Sequence, residues 1–119
     1  MERMERINEL MKREISDMLQ KEFQDPRFLR VTVTGVSVSR DLRYAKVLYT
    51  VLGEGNETEQ IQENLSRVSG FVRKLVGERI RLRHIPEIQF VYDKSVDYSI
   101  HIEQMINEIH QQGNGSEKL

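Results

Sequence analysis

Between Ile61 and Ile80, the apolar residues Ile61, Leu65, Val68, Val72, Leu75, Val76 and Ile80 recur at spacings of three and four. That is the period of an amphipathic helix with one face turned to a core. Carried from Glu57 to Arg81, such a helix would be roughly 37 Å long. The chain has 119 residues, and a compact domain of that size is only roughly 35 Å across. The periodic stretch is therefore expected to bend or break, and Gly70 is where a helix yields most readily. Hydrophobic residues make up 38% of the chain and charged residues 31%, which supports one modest core under a heavily charged surface.

The other elements are built to a similar scale. Met4, Ile7, Met11, Ile15 and Met18 predict a first helix that ends near Phe23, before Asp25-Pro26. Arg30 to Ser39 alternates as a strand, and its apolar phase slips at Gly35, as a bulge there would allow. A turn at Arg40-Asp41-Leu42-Arg43 leads into a second strand from Tyr44 to Leu52, the partner of an antiparallel hairpin. Ile88, Phe90 and Tyr92 mark a third strand. Ser95 is placed to cap a last helix carrying Tyr98, Ile102, Met105, Ile106 and Ile109. The order predicts an α+β domain, with helices packed on a small sheet, over residues 1–110, and a flexible polar tail over residues 111–119.

Composition excludes several kinds of chemistry. The chain has no cysteine, so disulfides and thiolate ligands are absent. His84, His101 and His110 lack metal-site spacing, so no metal and no cofactor is expected. There is no nucleophile elbow and no phosphate-binding glycine loop; Gly53-Glu54-Gly55 has a carboxylate where a phosphate would sit. No enzymatic activity is expected. With no membrane span and no secretory leader, the reading is a cytoplasmic protein.

Charge supplies the positive signal. The formal net charge is −1, yet Arg67, Arg73, Lys74, Arg79, Arg81 and Arg83 stand against the single anion Glu78 between Arg67 and His84. On a helical wheel Gly70, Gly77, Arg73, Lys74 and Arg81 fall opposite Val72, Leu75 and Val76. A sugar-phosphate backbone could approach such a strip closely, while the cations neutralise phosphates. Arg79 points to the apolar side and is expected to snorkel or to pair with a carboxylate. Arg40 and Arg43 flank the hairpin turn, Lys46 follows on the second strand, and Arg27 and Arg30 follow Asp25-Pro26. Carboxylates dominate from Glu54 to Glu63 and from Glu87 to Glu108, so the molecule is electrically two-sided. Three readings fit this pattern: a factor for one particular RNA assembly, a general RNA-binding protein acting on other RNAs, or a module whose basic face meets an acidic protein.

The residues also resemble a known family. Asp25-Pro26-Arg27, Val38-Ser39-Arg40-Asp41-Leu42 and Tyr44-Ala45-Lys46-Val47 match bacterial ribosome-binding factor A in order and spacing. So do Ser69-Gly70-Phe71-Val72-Arg73, Arg81-Leu82-Arg83, Pro86-Glu87-Ile88 and Asp93-Lys94-Ser95. The resemblance implies a type II KH-like domain with a three-stranded sheet and a helix-kink-helix carrying Ala-x-Gly. Here that position reads Val68-Ser69-Gly70, with a bulkier, β-branched residue in place of the alanine. It further implies a non-enzymatic, monomeric assembly factor that binds the immature small (30S) ribosomal subunit through ribosomal RNA. That factor would support 16S rRNA maturation, including its 5′ end, above all in the cold. On this resemblance Arg73, Lys74, Arg81 and Arg83 contact ribosomal RNA, with Arg27, Arg40, Arg43, Lys46 and Arg67 as further candidates.

Overall fold

The computed structural model describes residues 2–53 and 57–95. The last predicted helix beyond Ser95 and the tail lie outside the described residues. At its expected start the Ser95 N–H donates to Asp93 Oδ1 at 3.0 Å, so Asp93, not Ser95, accepts the capping bond. The first helix, α1, spans Arg3–Lys21. Its periodic face buries Met11, Ile15, Met18 and Leu19, with Met4, Ile7 and Leu10 packed partly against the same core. Burying one such side chain stabilises the fold by about 1.5–3 kcal/mol.

Beyond α1 the chain makes a short 3-10 helix, Pro26–Arg30, where the sequence predicted only the end of the first helix. Proline tolerates the first helical position because it has no N–H to leave unpaired. Asp25 caps the segment, accepting a hydrogen bond from the Arg27 backbone N–H at 3.0 Å. The single turn delivers Phe28 into the core, edge-on to Phe23.

The sheet has three strands in the order β1 (Val31–Val38), β2 (Tyr44–Val51) and β3 (Glu87–Tyr92). β1 and β2 form the expected antiparallel hairpin, and β3 lies parallel to β2. The pairing register shifts between Val33 and Gly35, leaving Thr34 as the extra residue. The shift keeps Val33 and Val36 both buried, which is the phase slip visible in the sequence. A parallel neighbour needs a long crossover, and the second helix, α2 (Thr58–Arg79), supplies it.

α2 is one helix of 22 residues, about 33 Å long. It runs without interruption through Val68, Ser69 and Gly70, so of the expected bend or break the break is excluded. The helix also stops at Arg79, two residues short of the expected end at Arg81. Ile80 is already extended, with φ −124 and ψ 130, although its side chain stays in the core. Ser69 Oγ donates back to the Ser66 carbonyl at 2.8 Å, a bond that favours a bend over a rupture.

Both helices cover one face of the sheet. Ile61, Leu65, Val72 and Val76 are fully buried against it. The buried Tyr49 hydroxyl donates to Gln62 Oε1, and Gln62 Nε2 donates to the Phe90 carbonyl at 2.9 Å, fixing α2 over β2 and β3. Charge along α2 is polarised. Glu59 and Glu63 occupy the first turns, whereas from Arg67 onward Arg67, Arg73, Lys74 and Arg79 stand against the single anion Glu78. This arrangement complements the partial charges of the helix ends.

Candidate nucleic-acid interface

The turn between β1 and β2 is a rigid mount. Asp41 Oδ1 accepts from Ser39 Oγ at 2.7 Å and from the Arg43 N–H at 3.1 Å. These bonds, that of Ser39 first, hold the Asp41 carboxyl below the usual carboxylate range. Ser39 Oγ also accepts from the Tyr44 N–H at 3.1 Å. Leu42 takes a left-handed backbone, φ 62, with its side chain buried. Arg40 and Arg43 on either side of this pair are exposed.

Across from the turn, the segment after α2 folds back over the helix. Arg73 donates from both Nε and Nη2 to the Ile85 carbonyl. A side chain at Gly77 would meet Ile85 Cγ1 at 3.4 Å, so Ile85 rests on that glycine. Gly70 has nothing within 4 Å of where a Cβ would sit. Ile85 thus borders the two-glycine strip at Gly77, which itself stays exposed, while Gly70 has open space above it. Arg81 is exposed, but it lies beyond the end of α2, so its place on the wheel does not hold.

The hollows of the surface join these residues. One is lined by Gly70, Arg73, Lys74, Gly77 and Ile85. The next shares Arg73 and Ile85 and adds Arg43, Tyr44, His84 and Glu87. A third shares His84 and adds Arg83, Arg40 and Arg3. Lys74, Arg73, Arg43, Arg83 and Arg40 thus follow one continuous track across α2, the loop after it and the hairpin turn. The remaining candidates stand apart. Arg27 is half-buried, its Nε 3.9 Å from Asp25 Oδ1. Arg67 borders a separate groove with Phe23, Asp25, Phe28, Asn64 and Val68. It is nonetheless seven residues before Lys74, and so on the same line of the helix. Lys46 points from the uncovered face of the sheet, registered with Ser37 and Gln89.

Ion pairing separates surface cations from structural ones. Among the described residues Arg40, Lys46, Arg67, Arg73, Lys74, Arg81 and Arg83 form no salt bridge, whereas Arg30 pairs with Glu57 at 2.6 Å. Arg43 has only a long, solvent-exposed approach to Asp41, 3.8 Å from Nε to Oδ2. Arg79 reaches Glu14, Asp17 and Glu22 on and just after α1, at 3.5, 3.1 and 2.6 Å. It is thereby the structural cation its position predicted. Two exposed aromatic rings escaped the sequence reading: Tyr44, 61% exposed, and Phe71, 45% exposed. An aromatic residue opposite the buried alternation of Ala45, Val47 and Tyr49, and next to Arg43, was the available signal for Tyr44. No group of His, Asp and Glu among the described residues is placed to hold a metal ion. No described helix is long and apolar enough to cross a membrane.

Fold and site together define a small α+β protein that carries a row of exposed, largely unpaired cations on a rigid frame. The chain belongs to the ribosome-binding factor A family, whose profile matches residues 3–106. It is 45% identical to ribosome-binding factor A of Acetivibrio thermocellus over 98% of this chain and 95% of that one. With the Halothermothrix orenii protein of the same name it shares 41% identity over 91% of this chain and 88% of the relative. Among solved structures, ribosome-binding factor A from Thermus thermophilus superposes with a TM-score of 0.67 at 25% identity, covering 75% of this chain and 94% of that one. A Thermotoga maritima protein solved by NMR gives 0.57 at 33% identity, over 71% and 85% of the two chains.

Proposed function

We propose that this protein is a non-enzymatic assembly factor. It binds the immature small ribosomal subunit through ribosomal RNA and supports 16S rRNA maturation, including processing at the 5′ end, with its greatest effect in the cold. The observation that carries this reading is the chain of adjoining hollows that joins Lys74, Arg73, Arg43, Arg83 and Arg40, with Glu87 and Asp41 as the carboxylates among them. Cations left largely unpaired on a fixed scaffold are already positioned for phosphates, and their counterions are released on binding. Family membership supports the ribosome as the source of those phosphates. The protein would dissociate once the mature subunit no longer presents the matching arrangement.

Lys74→Glu combined with Arg83→Glu tests the surface, because neither side chain makes an intramolecular hydrogen bond or ion pair among the described residues. The double variant should stay folded and lose co-sedimentation with small subunits. Wild-type binding should weaken log-linearly with salt. Cells lacking the protein should accumulate free subunits with unprocessed small-subunit RNA. Unchanged co-sedimentation of the double variant, or a normal subunit profile, would overturn the reading.

A further inference from the structure

The centre of the cationic track is not purely cationic. The hollow of about 240 Å³ lined by Arg43, Tyr44, Arg73, His84, Ile85 and Glu87 carries a carboxylate among its cations. Glu87 is exposed and forms no salt bridge among the described residues, although two arginines line the same hollow. Its backbone is pinned, because the Glu87 N–H donates to the Arg43 carbonyl at 2.8 Å. Glu87 is also the register partner of Tyr44 across the parallel pair of β2 and β3. The two side chains therefore stand side by side on the same face of the sheet. The Tyr44 ring, 61% exposed, makes no ring contact with another aromatic side chain of the described residues.

A phosphate seated against Glu87 would meet a carboxylate, so phosphates are favoured on the arginine side of the hollow only. A nucleobase suits the Glu87 side: it offers a face to an aromatic ring and N–H groups to an acceptor. We infer that this hollow takes one unpaired nucleotide of an RNA strand, its base stacked on Tyr44 and its N–H edge turned to Glu87, with Arg43 and Arg73 on the flanking phosphates. The base must be unpaired, because in a duplex its faces and Watson–Crick edge are already occupied. A carboxylate accepts best from two adjacent N–H donors, which guanine presents on its Watson–Crick edge and uracil does not. The inference rests on the RNA-binding reading above and adds to it a strand type and a base.

The test uses the full chain with four short single-stranded oligoribonucleotides, all-uridine or with one central guanosine, adenosine or cytidine, alongside purified small subunits. The guanosine probe should bind about tenfold more tightly than all-uridine. Tyr44→Leu should weaken every single-stranded probe about tenfold, the loss expected for one stacked base. Tyr44→Phe keeps the ring and should bind as wild type does, which also controls for folding. Glu87→Gln should erase the guanosine preference. If Glu87→Gln instead strengthens all four probes equally, Glu87 acts only as a repelling charge and the base-reading inference fails. Equal wild-type affinity for all four probes, or wild-type affinity in Tyr44→Leu, overturns it too. A Tyr44→Leu defect confined to subunits would assign the hollow to a ribosomal protein and overturn the nucleotide. Subunit binding that depends on Lys74 and Arg83 without any oligonucleotide binding would remove the hollow and leave the surface reading standing. Salt-independent or absent binding to every RNA and subunit would remove both.

Discussion

Arg73 and Ile85 are joined twice: Nε and Nη2 of one guanidinium donate to one carbonyl, at 3.2 and 2.9 Å. Arg73, one of the proposed phosphate contacts, therefore also fastens the loop that carries Arg81, Arg83 and His84. Arg73→Lys keeps the charge but not the planar fork. It should lower unfolding stability by about 1 kcal/mol. Lys74→Ala, with no such bond, should leave stability within about 0.5 kcal/mol of wild type. Denaturant midpoints of the two variants check the difference.

Gly70 predicts a split between stability and binding. A side chain there meets nothing within 4 Å, and alanine is the better helix former by about 0.5–1 kcal/mol. Gly70→Ala should therefore stabilise the protein. The same methyl stands where a sugar-phosphate backbone would approach α2, so affinity for small subunits should fall severalfold. A stabilised variant with full affinity would show that RNA does not come close to Gly70.

Arg79 ties α2 to α1 through three carboxylates. The Asp17 carboxyl is held below the ordinary carboxylate range, first by its hydrogen bond to Lys21 and also by Arg79. A depressed folded-state pKa means that the unfolded chain binds the proton more readily. The stabilisation is present above about pH 4 and is lost as pH falls through the depressed value. Arg79→Ala leaves Glu14, Asp17 and Glu22 without their shared cation. It should lower the melting temperature by several degrees at neutral pH and make the acid limb of the stability–pH curve shallower than in wild type. Thermal melts across the acidic range measure both effects.

Leu42 predicts an inverted substitution order. Its φ of 62 is unfavourable for a branched side chain, but the side chain is buried against the core. Leu42→Ala loses the burial and keeps the backbone strain, whereas Leu42→Gly loses the burial and relieves the strain. The glycine variant should therefore be the more stable of the two by about 1 kcal/mol. Equal or opposite ranking in urea would mean that the turn stores no strain.

Periodicity made most of the fold legible. The burial of α1 and α2, the hairpin, the slip beside Gly35 and the inward aim of Arg79 all follow from spacing alone. The 3-10 helix at Pro26 escaped because one short turn has no period to read. The end of α2 was misplaced because Ile80 continues the apolar rhythm in an extended conformation, and Arg81 was carried onto the helix with it. The approach of Ile85 to Gly77 was hidden because spacing along a helix says nothing about the loop that folds back beside it. The hollow at Tyr44 was hidden for the same reason: its walls come from β2, β3, α2 and the loop after α2, distant in sequence and adjacent only in the fold.

The opposed charges at the two ends of α2 have a consequence for encounter. With a formal net charge of −1, the molecule gains no overall pull toward a polyanion. The field of that polyanion instead exerts a torque. It swings the Glu59 and Glu63 end away and brings Lys74 and Arg73 forward, within the roughly 8–10 Å over which charges are felt at physiological salt. The frame thus converts proximity into orientation, and collisions that would arrive acidic end first are turned before they touch.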